Sequence, residues 1–498
     1  MRVARFDAAV AAGLDAARRQ RLFAILRFQD RRERRLLAAD GAVDRAVSTT
    51  SVGVGVHALT TDGWAGFAST DDCAPSAVAR AVERAGALAR AAGVRGALAN
   101  RAVFGLPDEG SRTVPHDYAR LHDVSIQHQT DALLAAHEAA RALPDAPSVR
   151  TTHVLVDEQW RVARSDGTDV SFATPRARAR HALTVRRAAR PVSASASISG
   201  ADVSALAATD RLAALDRRTR HALRGALDTH DAPSIAPGSY RVALDYALAK
   251  GLAHEAIGHL CESDVDTSPF FRDGRLALGD EIGAFGVSVI DGPVRGDYAF
   301  QDVSANGMAR GNVALVERGV LVGGLADLFS AEAAGIPLSG ACRAGSFRER
   351  PVPRMTNVRI VVAGALPLAG SADAVEPEDA ADALRRAGLL GRDGGEDGAP
   401  FLYLTGYRGG QADPRRGDFV LSAAAAYDLG DGGAPRRAPT LSGLAGRVLR
   451  AVRAGVGPLQ LDAAGSCGKD GRAVSSSGGS HALLVLDAGP DLIVGGAP

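Results

Sequence analysis

At 498 residues the chain is too long for one hydrophobic core, and two domains is the natural expectation. Its formal net charge of +1 leaves no basic excess for a nucleic-acid surface or an anionic membrane. With 46% hydrophobic but only 5% aromatic residues, the cores must be built from Ala, Val and Leu. The basic charge is almost all Arg, and Lys250 and Lys469 are the only lysines. Cys73, Cys261, Cys342 and Cys467 form no CxxC pair and no disulfide framework. The N-terminal stretch lacks a signal-peptide apolar core, and no run is long enough to span a membrane. These features predict a cytoplasmic protein.

Residues 5–21 read as an Ala-rich helix. From Leu22 to about Ser69 short apolar alternations predict an antiparallel meander, punctuated by turns at Asp40-Gly41 and Asp62-Gly63. Val52-Gly53-Val54-Gly55-Val56 belongs to that meander as a strand, since a phosphate loop needs a third glycine and a following helix. Pro75 opens a helix to about Ala92. A further helix runs from about Ser125 to Leu143, with His137-Glu138 on a solvated face and no second histidine in reach. Val149 to Phe172 reads as a hairpin around Asp166-Gly167, and residues 204–228 as a helix.

Two prolines and a glycine between Asp231 and Gly238 mark a boundary. It divides the chain into an N-terminal α+β domain, 1–232, and a β-rich domain, 233–498. Beyond it, Tyr240 to Leu244 predicts a strand, and from about Tyr246 apolar residues recur at helical spacing through Leu260. Strands follow at Phe285–Gly292, Val313–Val316 and Val320–Val322, with a short helix over 377–388. The acidic, glycine-rich stretch from Gly391 to Gly398 is expected to be a mobile loop. The fold class expected is α+β: N-terminal helices with an antiparallel meander, then curved antiparallel sheets carrying one central helix.

That helix bears His254-Glu255-Ala256-Ile257-Gly258-His259. Two imidazoles flanking a carboxylate offer a metal two nitrogen ligands and its water a base. On a regular helix, at roughly 100° per residue, the two histidines would diverge by about 140°. A π-type turn or a break between them would let both reach one ion. Gly258 is where a distorted backbone would cost least.

From Pro237 through this hexad to Glu262 and Asp264, the sequence resembles the TldD/PmbA metallopeptidases. The Gly-Val-Gly-Val strand, the Asp62-Gly63 turn and Gly66-Phe67-Ala68-Ser69 resemble the amino-terminal domain of the same family. Pro353-Arg354-Met355-Thr356-Asn357 and Gly409-Gly410-Gln411 with Asp413-Pro414 and Gly417-Asp418-Phe419 are similar to it as well. These last segments read equally as sheet-closing turns or as walls of a substrate cleft. The resemblance is firmest from residue 237 onward and loosest over 1–20 and 95–235. It implies a cytoplasmic, two-domain, zinc-dependent peptidase acting on unfolded peptides. It also implies a homodimer, or a heterodimer with a metal-free paralogue. In TldD-type subunits the motif histidines and a distant cysteine bind zinc and the motif glutamate is the base, which carries over to His254, His259 and Glu255.

A catalytic zinc needs a third protein ligand, and Glu262, Asp264, His481 and Cys467 are the candidates. Glu262 could instead orient an imidazole as an acceptor behind it. Cys467 lies in Gly465-Ser466-Cys467-Gly468-Lys469-Asp470-Gly471, which resembles the family's cysteine loop, so the third ligand carries over to it. Lys469 stands where a positive charge could favour the thiolate. With Glu262 and Asp264 it is a candidate for supporting the ligands. After Gly471 the chain departs from the family's Gln and Pro-Val stretch, running Arg472-Ala473-Val474 and then Ser475 to His481.

The expected reaction is hydrolysis of extended peptides with low sequence selectivity, with Glu255 as general base. Edge strands of the glycine-rich part could hold the peptide by its main chain. A non-catalytic peptide-binding subunit is the alternative, but it should lack ligands that are all present here. A zinc deaminase would need a Pro-Cys-x-x-Cys segment, which is absent.

Overall fold

The computed structural model describes residues 4–96, 99–145, 147–187, 190–391 and 400–495. Its N-terminal half is built on one eight-stranded sheet. Helix α1 (Asp7–Arg19) precedes a meander of β1 (Phe23–Ala39), β2 (Ala42–Leu59) and β3 (Ala65–Thr70). The turns fall at Asp40-Gly41, both at positive φ, and at Asp62-Gly63. Val52 to Val56 lies inside β2, paired along its length with β1.

Helix α2 (Pro75–Val94) packs with α1 on the meander through Leu26, Phe28, Val54, Val78 and Val82. After β4 (Ser111–Thr113) and α3 (Ile126–Arg141), strand β5 (Ser148–Arg164) pairs antiparallel with β1. Strand β5 also pairs with β6 (Asp169–Ala173) and β7 (Arg176–Val185). Strand β8 (Val192–Gly200) pairs with β7 alone and so forms a sheet edge. Helix α4 (Thr209–Thr229) packs beside it.

The second sheet has thirteen strands and is centred on the long strand Arg472–Leu486. Its first part pairs with Gly465–Lys469, and its last part with Val452–Gln460 and with β9 (Arg241–Asp245). Most pairings are antiparallel, as expected. Two are parallel: β9 with Phe401–Asp413, and Asn357–Val362 with Arg472–Leu486. Both join strands far apart in sequence, where a crossover rather than a tight turn connects them.

The largest core lies over this sheet and contains Leu244, Leu248, Leu252, Ile257, Leu260, Ile360, Leu404 and Leu484. A second contact ties the halves together, where Ile25, Val162 and Val170 meet Val303, Met308 and Leu328.

One expectation is corrected, and two strands are added to the reading. His137 is buried, with Nδ1 3.0 Å from Thr151 Oγ1, so it does not lie on a solvated face. Strands β7 and β8 were not expected, because Arg-Ala and Ser-Ala alternations carry little β propensity. Residues 392–398 of the acidic loop lie outside the described residues. No helix among the described residues is long and apolar enough to cross a membrane.

Candidate metal centre

Strand β9 leads directly into helix α5 (Tyr246–Leu252), whose start is capped by Asp245 accepting the Leu248 N–H at 2.7 Å. The helix is apolar on nearly every side because it runs through the core. It does not continue as α-helix. Ala253–Gly258 is a π turn, followed by a 3₁₀ turn at His259–Cys261. The His259 N–H donates to the His254 carbonyl, a span of five residues. Residues five apart therefore share a face, and the two imidazole centroids lie 4.8 Å apart, nearly perpendicular.

Gly258 has an ordinary helical backbone, φ −58° and ψ −50°. Strain relief is not what requires glycine here. A Cβ at this position would stand 2.0 Å from the Met355 sulfur, so the small residue admits Met355 against the turn.

The cysteine arrives from the other end of the chain. Gly465–Lys469 and the start of Arg472–Leu486 form a hairpin turned by Asp470 and Gly471, both at positive φ. It places Cys467 Sγ 3.4 Å from His259 Nε2. One donor atom each from His254, His259 and Cys467 fall within 4.8 Å of one another. Tetrahedral zinc with Zn–S near 2.3 Å and Zn–N of 2.0–2.1 Å has an S···N edge of about 3.6 Å. His254 Nδ1 is buried without a hydrogen-bond partner. A thiolate and two imidazoles, one of them with an orphaned ring nitrogen, fit a borderline-soft ion such as zinc. Among the described residues no other three His, Cys, Asp or Glu side chains converge this way.

The surrounding charges favour a cation between these donors. Burial opposes ionisation of Cys467, but His259 and then Arg354 outweigh it and pull the thiol below its usual pKa. Burial also opposes charge on His259, yet Glu262 and Cys467 push that imidazole up to about 10. A metal ion would take the place of that proton, since the ligating nitrogen must be free of it. His254 is held neutral by burial and by Lys250.

Glu262, fully buried, has Oε2 3.3 Å from His259 Nδ1. It is thus the acceptor behind the imidazole and not a fourth donor to the cluster. Lys469 donates to Glu262 at 2.7 Å and to Asp264 at 2.5 Å. Its charge is spent on those carboxylates. The positive charges acting on the thiolate are His259, Lys250 and Arg354, the last of which also donates to the Cys467 carbonyl.

Glu255 is buried beside the two histidines and accepts from the Tyr407 hydroxyl at 3.4 Å. His481 is not part of the centre: Nδ1 meets the Gly457 carbonyl at 2.9 Å and Nε2 accepts from Val362 N–H. Cys261 is fully buried in the core, and burial raises its thiol pKa.

Sequence reasoning missed Tyr407 and Lys250, and gave Arg354 no role. Lys250, 4% exposed, lies 5.9 Å from the Tyr407 ring centroid and donates to Ser476 at 3.1 Å. A rare lysine inside an apolar helix was the available signal. A Cβ on Gly251 would meet the Tyr407 ring at 2.7 Å, which explains how the ring lies so close to α5.

Two family models match the sequence: the PmbA/TldA metallopeptidase domain 1 over residues 24–89 and the PmbA/TldA metallopeptidase C-terminal domain over 237–467. A protein named metalloprotease from Methanothermobacter thermautotrophicus is 27% identical over 93% of this chain and 94% of its own. A metalloprotease TldD homolog from Buchnera aphidicola is 25% identical, covering 85% of this chain and 83% of its own. Among solved structures, TldE from Thermococcus kodakarensis superposes with a TM-score of 0.72 over 98% of this chain and all of the other, at 13% identity. A putative modulator of a DNA gyrase from Thermotoga maritima gives 0.71 over 97% and 98%, at 17% identity. At those identities the structural likeness concerns the fold.

Proposed function

The chain belongs to the PmbA/TldA metallopeptidase family, and on that premise we propose that it is a zinc-dependent peptidase acting on unfolded or extended peptides. The observation that carries this reading is the approach of Cys467 Sγ to His259 Nε2, with Glu255 next to His254 in the same buried turn. His254, His259 and Cys467 would hold the ion, which when bound polarises a carbonyl and acidifies water.

The remaining chemistry falls to side chains of this protein. Glu255 takes a proton from the attacking water and returns it to the leaving amine, because its histidine neighbours are engaged as ligands. The Tyr407 hydroxyl orients that carboxylate. Glu262 holds the His259 ring and fixes its tautomer, and Lys469 keeps Glu262 charged.

The same reading takes residues 1–232 and 233–498 as two domains, the chain as cytoplasmic, and the working unit as a homodimer or a heterodimer with a metal-free paralogue. Size measurement of the purified chain, alone and mixed with such a paralogue, distinguishes the two assemblies. For the chemistry, Glu255→Gln should retain stoichiometric zinc and lose peptide hydrolysis by roughly a hundredfold to ten-thousandfold. Near-normal turnover in that variant removes Glu255 from the mechanism.

A further inference from the structure

A cleft of about 960 Å³ lies between the β7–β8 hairpin, α4 and the second sheet, and Lys250 and Tyr407 are part of its wall. Tyr407 is the side chain that touches Glu255, so the wall of the cleft lies one residue from the metal centre. The cleft is lined by seven cationic side chains and three carboxylates. All three carboxylates are committed. Asp245 caps α5 and accepts from Thr405 and Gly406. Asp373 binds Arg217 and Arg218, and Asp462 binds Arg218 and Arg211.

Apart from Arg218, the cations lining the cleft are not balanced in the same way. Arg178 donates to the Ser197 hydroxyl, and Arg408 reaches only the Ser193 carbonyl at 3.5 Å. Burial lowers the Arg178 pKa, with Arg180 adding to the effect. Arg178 and Arg180 are two residues apart on β7 and so face the same side of the hairpin. Among the described residues Arg178, Arg180 and Arg408 have no carboxylate within ion-pair distance, whereas Lys250 is acted on by Cys467 and Glu255. Arg178 is half-buried, while Arg180 and Arg408 are exposed. A half-buried guanidinium without an anion is costly, and a ligand carboxylate would relieve that cost at Arg178 and gain charge-assisted bonds from the other two.

Resting on the peptidase reading above, we infer that this cleft selects peptides carrying a carboxylate, engaged by Arg178, Arg180 and Arg408 as the chain runs toward Glu255. The carboxylate comes from an acidic side chain or from the free C-terminus. Either source presents the same planar, bidentate acceptor to arginine.

The test is binding to the zinc-loaded Glu255→Gln protein, which should not turn the ligand over. Four fluorescent peptides are compared: one sequence bearing either Asp/Glu or the matching Asn/Gln, each with a free or an amidated C-terminus. A carboxylate should tighten binding by about tenfold, and higher ionic strength should narrow that difference. The difference follows the side-chain change or the C-terminal change according to which carboxylate is read. Arg178→Gln/Arg180→Gln should abolish most of it, with unfolding midpoints confirming the fold and Arg408→Gln as the independent variant. Equal binding of all four peptides overturns the inference, as does a preference that survives both variants. A wild-type protein that binds carboxylate peptides selectively but cleaves none overturns only the peptidase reading.

Discussion

Cys467 Sγ lies 3.4 Å from His259 Nε2, across 208 residues of sequence. That distance matches the edge of a zinc tetrahedron, and it yields a sharp comparison between two buried cysteines. Cys467→Ser should weaken zinc binding on the order of a hundredfold or more, because a serine hydroxyl does not deprotonate at neutral pH. Cys261→Ser, two residues past His259 but buried in the core, should keep one zinc per chain. Metal content after dialysis reads both. A Cys467→Ser protein with full zinc, beside a Glu262→Gln protein without it, would reassign the third ligand to the glutamate.

Gly258 admits Met355 against the π turn, and any side chain there meets the sulfur. Gly258→Ala should therefore destabilise the protein by about 1–3 kcal/mol through overpacking. It should also weaken zinc binding, by displacing the turn that aligns His254 with His259. Adding Met355→Ala should recover the zinc affinity in part. No recovery, measured by metal titration, would show that glycine is needed for another reason.

Lys469 joins Glu262 to Asp264 at the edge of the centre. Lys469→Met leaves a fully buried carboxylate short of its cation and should cost about 3 kcal/mol. The double variant Lys469→Met/Glu262→Gln should be more stable than Lys469→Met alone, since the stranded charge is gone. Urea unfolding of the three proteins measures the coupling, and additive losses would rule it out.

A buried histidine group in the N-terminal sheet sets the acid sensitivity of the fold. His137 Nε2 accepts from the Gly41 N–H, and Thr151 Oγ1 lies between His137 Nδ1 and His181 Nδ1. Thr151 then donates to His181, which has no room there for a second proton. Burial lowers both His153 and His181 from 6.5 to about 4. The unfolded chain binds these protons first, so stability is full above about pH 6.5 and falls as pH drops toward 4. Each histidine contributes about 3 kcal/mol of loss by the lower limit. Chemical denaturation across this window should show the fall, reduced in His181→Gln; a flat profile would contradict the assignment.

What the sequence decided by itself was local. The five-residue spacing of His254 and His259 is incompatible with one α-helical face, so the backbone between them had to change period, and a π turn is what forms. The meander of β1 to β3 was likewise legible, because hydrophobic alternation and Asp-Gly turns act over a few residues. The tertiary structure decided what lies far apart in sequence. It put Cys467 beside His259, turned Lys469 toward Glu262, and sent His481 into a separate pair of backbone bonds. It also made strands of Arg176–Val185 and Val192–Gly200, whose Arg, Ala and Ser residues have weak preferences of their own. Those strands are strands because β5 offers an open edge, and a partner's hydrogen bonds are invisible in the residues that receive them.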